Sequence, residues 1–206
     1  MRVAIVGGTG PFGKALASRL HGTGHEVVIG SRDAGRAEAV ALELDCLGDS
    51  NSDAVRGAEL VVLAVNADAV LETARQLRPS IDTAPVLSVA SQLRFTPAGV
   101  LPQPDARSLA EQLHDELDGP VIAGFHSLAA ASLAGEEPPE EDAFVCGDDT
   151  AAKEIALELG GHLISGRVLD AGPLASARAL EGLTAVIVNL NKRYRGHAGI
   201  RVTGLP

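Results

Sequence analysis

The residues of this chain whose types and spacing best suit chemistry are Gly8-Thr9-Gly10-Pro11-Phe12-Gly13, placed between the apolar run Val3–Val6 and a helix-like segment. They fit G-x-G-x-x-G in the strand-turn-helix context that gives the pattern its meaning. Gly8 permits a tight turn, Gly10 lets the backbone approach a pyrophosphate, and Gly13 lets the helix pack closely on the first strand. The phosphates then meet free N–H groups and the positive end of the helix macrodipole. Pro11 suits that turn because it has no N–H to satisfy. The alternative is a glycine-rich turn without a ligand. The end of the second strand decides which dinucleotide binds, because an NAD site places an acid there against the ribose 2′-hydroxyl. This chain has Gly30-Ser31-Arg32, with Arg36 one helical turn further on. A hydroxyl and a guanidinium hold a 2′-phosphate and a carboxylate repels it, so the expected cofactor is NADP(H). The alternative has Ser31 or Asp33 capping the next helix and Arg32 merely solvated.

The elements that must position these residues alternate in βαβ rhythm, which predicts an α/β protein with a doubly wound, mostly parallel sheet. Val3–Val6 precedes a helix at Phe12–Leu20, Val27–Ile29 precedes Ala34–Leu44, and Leu60–Val65 precedes Ala69–Leu77. A fourth strand at Pro85–Val89 leads into a stretch with Pro97, Pro102 and Pro104, expected to be loop. Ser108 and Glu111 form a capping box for a helix bearing Leu109, Leu113 and Leu117 on one face. Val121–Ala123 is a fifth strand, and residues 135–142 form a solvated acidic loop. Beyond it come Ala143–Cys146, a helix near Ala151–Leu159, a strand near Leu163–Leu169 and a closing helix near Leu174–Leu190. No linker separates a second lobe, so any such lobe is integral.

Composition narrows the partners. The net charge of -10 repels nucleic-acid backbones and anionic membranes, and aromatics at 2% supply few stacking platforms. Two cysteines exclude a disulfide framework and cannot alone complete a structural zinc site. They read as free thiols in a reducing compartment. The N-terminal apolar run is too short for a signal peptide, and no run approaches the roughly 20 apolar residues of a membrane span. A cytoplasmic protein acting on a soluble small molecule is expected. His126, after the fifth strand, falls at the sheet edge where open α/β sheets bind ligands. It either hydrogen-bonds an acceptor ring there, with a proton to donate, or is structural. Asp148-Asp149-Thr150 lacks companions at metal-ligand spacing and reads as a helix N-cap, so no metal is expected. Lys192, Arg193, Arg195, His197 and Arg201 either complement a helix C-terminus or receive an anionic ligand tail.

The string Gly7-Gly8-Thr9-Gly10, the turn Gly30-Ser31-Arg32, the segment Val145–Asp149 and the run Leu169–Leu174, with Arg178 and Glu181 after it, together resemble the NADPH-dependent F420 reductases. The resemblance spans nearly the whole chain and implies hydride transfer between NADP(H) and the deazaflavin coenzyme F420 in a homodimer. It implies a Rossmann-like domain at 1–165 and a small C-terminal lobe at 166–206 closing the substrate cleft. It further implies that Thr9, Ser31, Arg32 and Arg36 grip the 2′-phosphate, and that Val65-Asn66 and Ala90-Ser91 lie near the nicotinamide. His126 and Gly172-Pro173-Leu174 would face the deazaflavin.

The chain departs from the family in three loops on the deazaflavin side. The family places prolines after strands three and four and shortly after the histidine matching His126. This chain has Val65-Asn66-Ala67, Ser88–Ser91 and His126–Ala130 instead. Two alternatives therefore stand beside the leading one. The first is an NADPH-dependent reductase of a flavin, imine or small carbonyl compound, and the second is a non-catalytic NADP(H) sensor. A closed cleft would favour the sensor and an open apolar pocket an enzyme.

Overall fold

Val3 and Ile5 point to one side of the first strand and Ala4 and Val6 to the other, and all four are fully buried. A strand covered on both faces belongs to the interior of a parallel sheet. The computed structural model, which describes residues 1–105 and 107–205, has this arrangement. Chain order begins β1 (Arg2–Val6), α1 (Pro11–Leu20), β2 (Glu26–Ser31), α2 (Ala34–Glu43), β3 (Leu47–Ser50), α3 (Asn51–Ala54), β4 (Leu60–Leu63) and α4 (Ala67–Ile81). It continues with β5 (Val86–Ser88), β6 (Leu93–Thr96), β7 (Gly99–Pro102), α5 (Leu109–Glu116), β8 (Val121–Gly124) and α6 (Ala130–Leu133). It closes with β9 (Ala143–Gly147), α7 (Thr150–Gly161), β10 (Val168–Asp170) and α8 (Ala177–Tyr194).

Eight strands form one sheet in the order β10-β9-β8-β5-β4-β1-β2-β3. Every pairing is parallel except β8 with β9. The chain moves outward from β1 to β3, then crosses back to lay β4 on the other side of β1. That reversal opens a crevice at the carboxyl ends of β1 and β4, where such sheets bind ligands. One core cluster joins α1, α2 and α7 to the first face, and a second joins α4, α5 and α8 to the other. Residue 166, where the C-terminal lobe is expected to begin, lies just before β10, which pairs in parallel with β9 in the main sheet.

Local chemistry explains most boundaries. Asp33 accepts from the Arg36 N–H and Asp149 from the Ala152 N–H, capping α2 and α7, and the Ser108–Glu111 capping box opens α5. The proline-bearing stretch is not loop: β6 and β7 form an antiparallel hairpin, with Pro102 opposite Leu93. A two-stranded ribbon has free edges, so a proline without an N–H is tolerated at its end. The Asn189 amide fixes this hairpin to α8 by accepting from the Val100 N–H at 2.8 Å and donating to the Val100 carbonyl at 2.7 Å. The last strand is also shorter than expected. Leu163 and Ile164 are buried in a turn, and β10 starts only at Val168.

Candidate functional site

The glycine turn is held by the neighbouring strand. The N–H groups of Gly7 and Gly8 both donate to the Gly30 carbonyl at 3.1 Å, which ties the end of β1 to the end of β2. Gly7, not Gly8, takes the left-handed conformation of the tight turn, with φ at +79°. Gly8 is required for packing, since a Cβ there would lie 2.8 Å from Ile29 and from the Ile5 carbonyl oxygen. Gly13 lies against Gly8, where a Cβ would approach the Gly8 Cα to 2.6 Å. Gly10 differs from both. Its Cβ would meet only the Gly7 carbonyl oxygen, at 3.3 Å, so its other side opens on a cleft. The first α1 hydrogen bond runs from the Lys14 N–H to the Gly10 carbonyl, and the earlier N–H groups of the helix are left for an anion.

That cleft, of about 430 Å³, brings Thr9, Gly10 and Pro11 together with Ser31, Arg32 and Arg36. Val65, Asn66, Ala69, Thr73 and Asn51 line it as well. Ser31 is buried, and its Oγ accepts from the Asp33 N–H at 3.2 Å, which leaves its single proton to donate into the cleft. Asp33, the nearest carboxylate in sequence, is occupied as the α2 cap. Among the described residues, neither Arg32 nor Arg36 forms a salt bridge, and both side chains are exposed. Asn51 escaped the sequence argument because α3 is a single turn after the short, polar strand β3, and Thr73 because nothing in the α4 pattern marks it apart from the rest of that helix.

A second chamber of about 370 Å³ shares Gly10, Pro11, Ala64, Val65 and Asn66 with the first, so the two adjoin. Phe12, Ala90, Ser91 and His126 line it, together with Val89, Leu93, Phe125, Leu128 and Thr184. Leu93 and Thr184 come from the hairpin and the closing helix, contributions that no local pattern announces. Phe125 precedes His126 with φ at +64° while fully buried, and the Leu128 N–H returns to its carbonyl at 3.0 Å. This strained turn of roughly 1–3 kcal/mol aims the His126 ring at the chamber.

His126 is 6% exposed, and neither ring nitrogen has a hydrogen-bond partner. Burial pushes its pKa down to about 4; the Ala90 carbonyl offsets this in part without reaching hydrogen-bond geometry. The imidazole is therefore neutral at physiological pH. The folded pKa lies below the unfolded 6.5, so the associated stability is complete above pH 6.5 and is lost as pH falls toward 4. Across that window His126 alone should cost about 3 kcal/mol. Urea melts at pH 7.5 and 4.5 should show a smaller loss in His126→Gln than in the parent; equal losses would place the pH dependence elsewhere.

Gly172, Pro173 and Leu174 line neither chamber. Leu174 is buried, its N–H donates to Asp148 at 2.9 Å, and the Gly172 carbonyl accepts from the Gly147 N–H. Arg178 lines a separate groove between the hairpin and α8. Glu181 is buried and accepts from the Leu109 and Ala110 N–H groups at 3.1 Å each, with burial pushing its pKa up to about 7. The basic tail also lies elsewhere. Lys192 stacks over Phe95, Arg201 pairs with Glu140, and none of the five tail residues lines either chamber.

A doubly wound sheet whose glycine turn and cationic strand end meet at the switch point defines a Rossmann-type dinucleotide-binding protein. The family model described as NADP oxidoreductase, coenzyme F420-dependent, matches residues 2–92. An F420-dependent NADP reductase of Methanocaldococcus jannaschii is 31% identical, over 100% of this chain and 99% of its own length. One from Methanothermobacter thermautotrophicus is 34% identical, over 100% of this chain and 96% of its own. A solved structure from Arthrobacter sp. FB24, provisionally named an F420-dependent NADP-reductase, superposes with a TM-score of 0.85 at 25% identity. It covers 99% of this chain and 100% of that one. The chain belongs to the F420-dependent NADP oxidoreductase family.

Proposed function

We propose that this protein transfers a hydride between NADP(H) and the deazaflavin coenzyme F420. The observation that carries this reading is that the two chambers adjoin at Gly10, Pro11 and Ala64–Asn66, a placement that suits a dinucleotide and a second ring system meeting there. Backbone N–H groups at the start of α1 receive the pyrophosphate, while Ser31, Arg32 and Arg36, with Thr9 nearby, receive the 2′-phosphate. Val65, Asn66, Ala90 and Ser91 flank the nicotinamide, which supplies the hydride when the reduced cofactor is bound. Apolar Val89, Leu93, Phe125 and Leu128 keep water from the meeting point, and positioning with water exclusion provides most of the acceleration. His126 supports the acceptor ring as a neutral imidazole. An NADP(H) sensor needs no second chamber, so the open space beside Val65 supports the enzyme.

Residues 1–165 bind the dinucleotide, and residues 166–206 wall the second chamber through Thr184 while sharing the core of the main sheet. Gly172-Pro173-Leu174 act at one remove, by seating the start of α8. Among the described residues no helix is long and apolar enough to cross a membrane, and two free thiols suit a cytoplasmic setting. Phe95 and Leu101 on the hairpin and Val186, Leu190 and Tyr194 at helical spacing on α8 are exposed, which supports a homodimer through that side. Mixing the protein with NADPH and F420 should bleach the deazaflavin absorption, and light scattering on the same sample should give twice the chain mass. Binding of NADPH without bleaching, while a flavin, imine or carbonyl acceptor is reduced, would replace the proposed acceptor.

A further inference from the structure

We propose that Ser91 faces the second chamber as a fixed hydrogen-bond acceptor and so selects a ring-bound amide that offers an N–H. The inference rests on the two rings meeting in this chamber. Ser91 follows β5 and Thr184 faces it from α8, with their hydroxyl oxygens 2.7 Å apart. The Thr184 Oγ1 is also 2.9 Å from the carbonyl oxygen of His126. A carbonyl only accepts, and a hydroxyl carries one proton. Both contacts can be hydrogen bonds in only one sense: Thr184 donates to His126, and Ser91 donates to Thr184. Ser91 then has no proton left for the chamber and presents lone pairs alone. A ligand N–H finds an acceptor there, whereas a ligand carbonyl finds repulsion.

Two ligands of the proposed reaction carry such a group, the nicotinamide carboxamide and the ring imide of the deazaflavin, and their analogues separate them. In 3-acetylpyridine NADP a methyl group replaces the amide NH2, and N3-methylation removes the imide N–H of F420. Dissociation constants come from calorimetry for NADP+ and its analogue, and from fluorescence quenching for F420 and its methylated form, without turnover. One analogue should bind the parent about tenfold more weakly than its natural counterpart, the scale of a net hydrogen bond. That discrimination should fall to about threefold or less in Ser91→Ala, which removes the acceptor, and in Thr184→Val, which frees the Ser91 proton to turn toward the ligand. Thr184→Ser keeps the relay and should restore it. Loss confined to the acetylpyridine pair assigns the carboxamide; loss confined to the methylated pair assigns the imide.

Equal binding of both analogues by the parent, or discrimination unchanged in both Ser91→Ala and Thr184→Val, would overturn the proposal and leave the hydroxyl pair as a tie between α8 and β5. Thermal melts confirm that each variant is folded, and Ser91→Ala carries the test alone if Thr184→Val is not. If NADP+ binds and F420 does not, the proposed acceptor is wrong while the carboxamide arm still decides this inference.

Discussion

Replacing Gly10 with valine should abolish binding of NADPH and NADH together, with a melting temperature close to that of the parent. The two halves of this expectation come from different atoms. Gly10 has φ at −80° and ψ at 166°, an extended conformation open to any residue, and its Cβ would meet only one oxygen at 3.3 Å. The fold therefore tolerates a side chain there. The branched methyl groups of valine, however, would stand over the start of α1, where the pyrophosphate must approach the backbone within hydrogen-bond reach. Gly13→Val provides the contrast, because its Cβ would lie 2.6 Å from the Gly8 Cα and the protein itself should unfold. Calorimetric titration beside a thermal melt checks both variants. Retained affinity in Gly10→Val would mean that the glycine turn is structural alone.

Arg32→Asp should weaken NADPH binding by about a hundredfold and leave NADH binding within a few-fold of the parent. Charge-assisted hydrogen bonds contribute roughly 1.5–3 kcal/mol each, and the substitution removes those of Arg32 while adding a like charge beside the 2′-phosphate. Arg36 and Ser31 remain in the lining of the same cleft, so binding is weakened and not lost. Arg32 is exposed, so added salt should narrow the gap between parent and variant. Titrations of both cofactors at low and high salt supply the measurement. Equal affinities of the unmodified protein for NADPH and NADH would dispose of the selectivity argument altogether.

The sequence by itself determined the elements whose stability is local. The first strand and the glycine turn were legible because Val3–Val6 is a continuous apolar run and because three glycines at fixed spacing have a backbone use. The caps at Asp33, Ser108 and Asp149 were legible because each acts on an N–H a few residues away. The gathering of Ser31, Arg32 and Arg36 with Gly10 followed from βαβ geometry, in which adjacent parallel strands bring their carboxyl ends together. The pattern assigns the tight turn to Gly8, whereas Gly7 carries it, because a pattern fixes which residues are glycine and not which one takes positive φ.

Tertiary structure decided everything that depends on distant segments meeting. The stretch with Pro97, Pro102 and Pro104 reads as loop, yet it forms a hairpin that Asn189 docks to α8 from 89 residues away. Thr184 lies 58 residues from His126, and the hydrogen bond between them exists because α8 packs back across the sheet. The neutral state of His126 is likewise a property of enclosure, since an imidazole titrates by its surroundings and not by its neighbours in sequence. Gly172-Pro173-Leu174 belongs to the same class: its residue types mark a turn before a helix, but whether that turn faces a chamber depends on how β9 and β10 close the sheet. Local bonding could be read from spacing because the chain supplies both partners. The second chamber could not, because its walls come from segments far apart in the chain that meet only once the fold has formed.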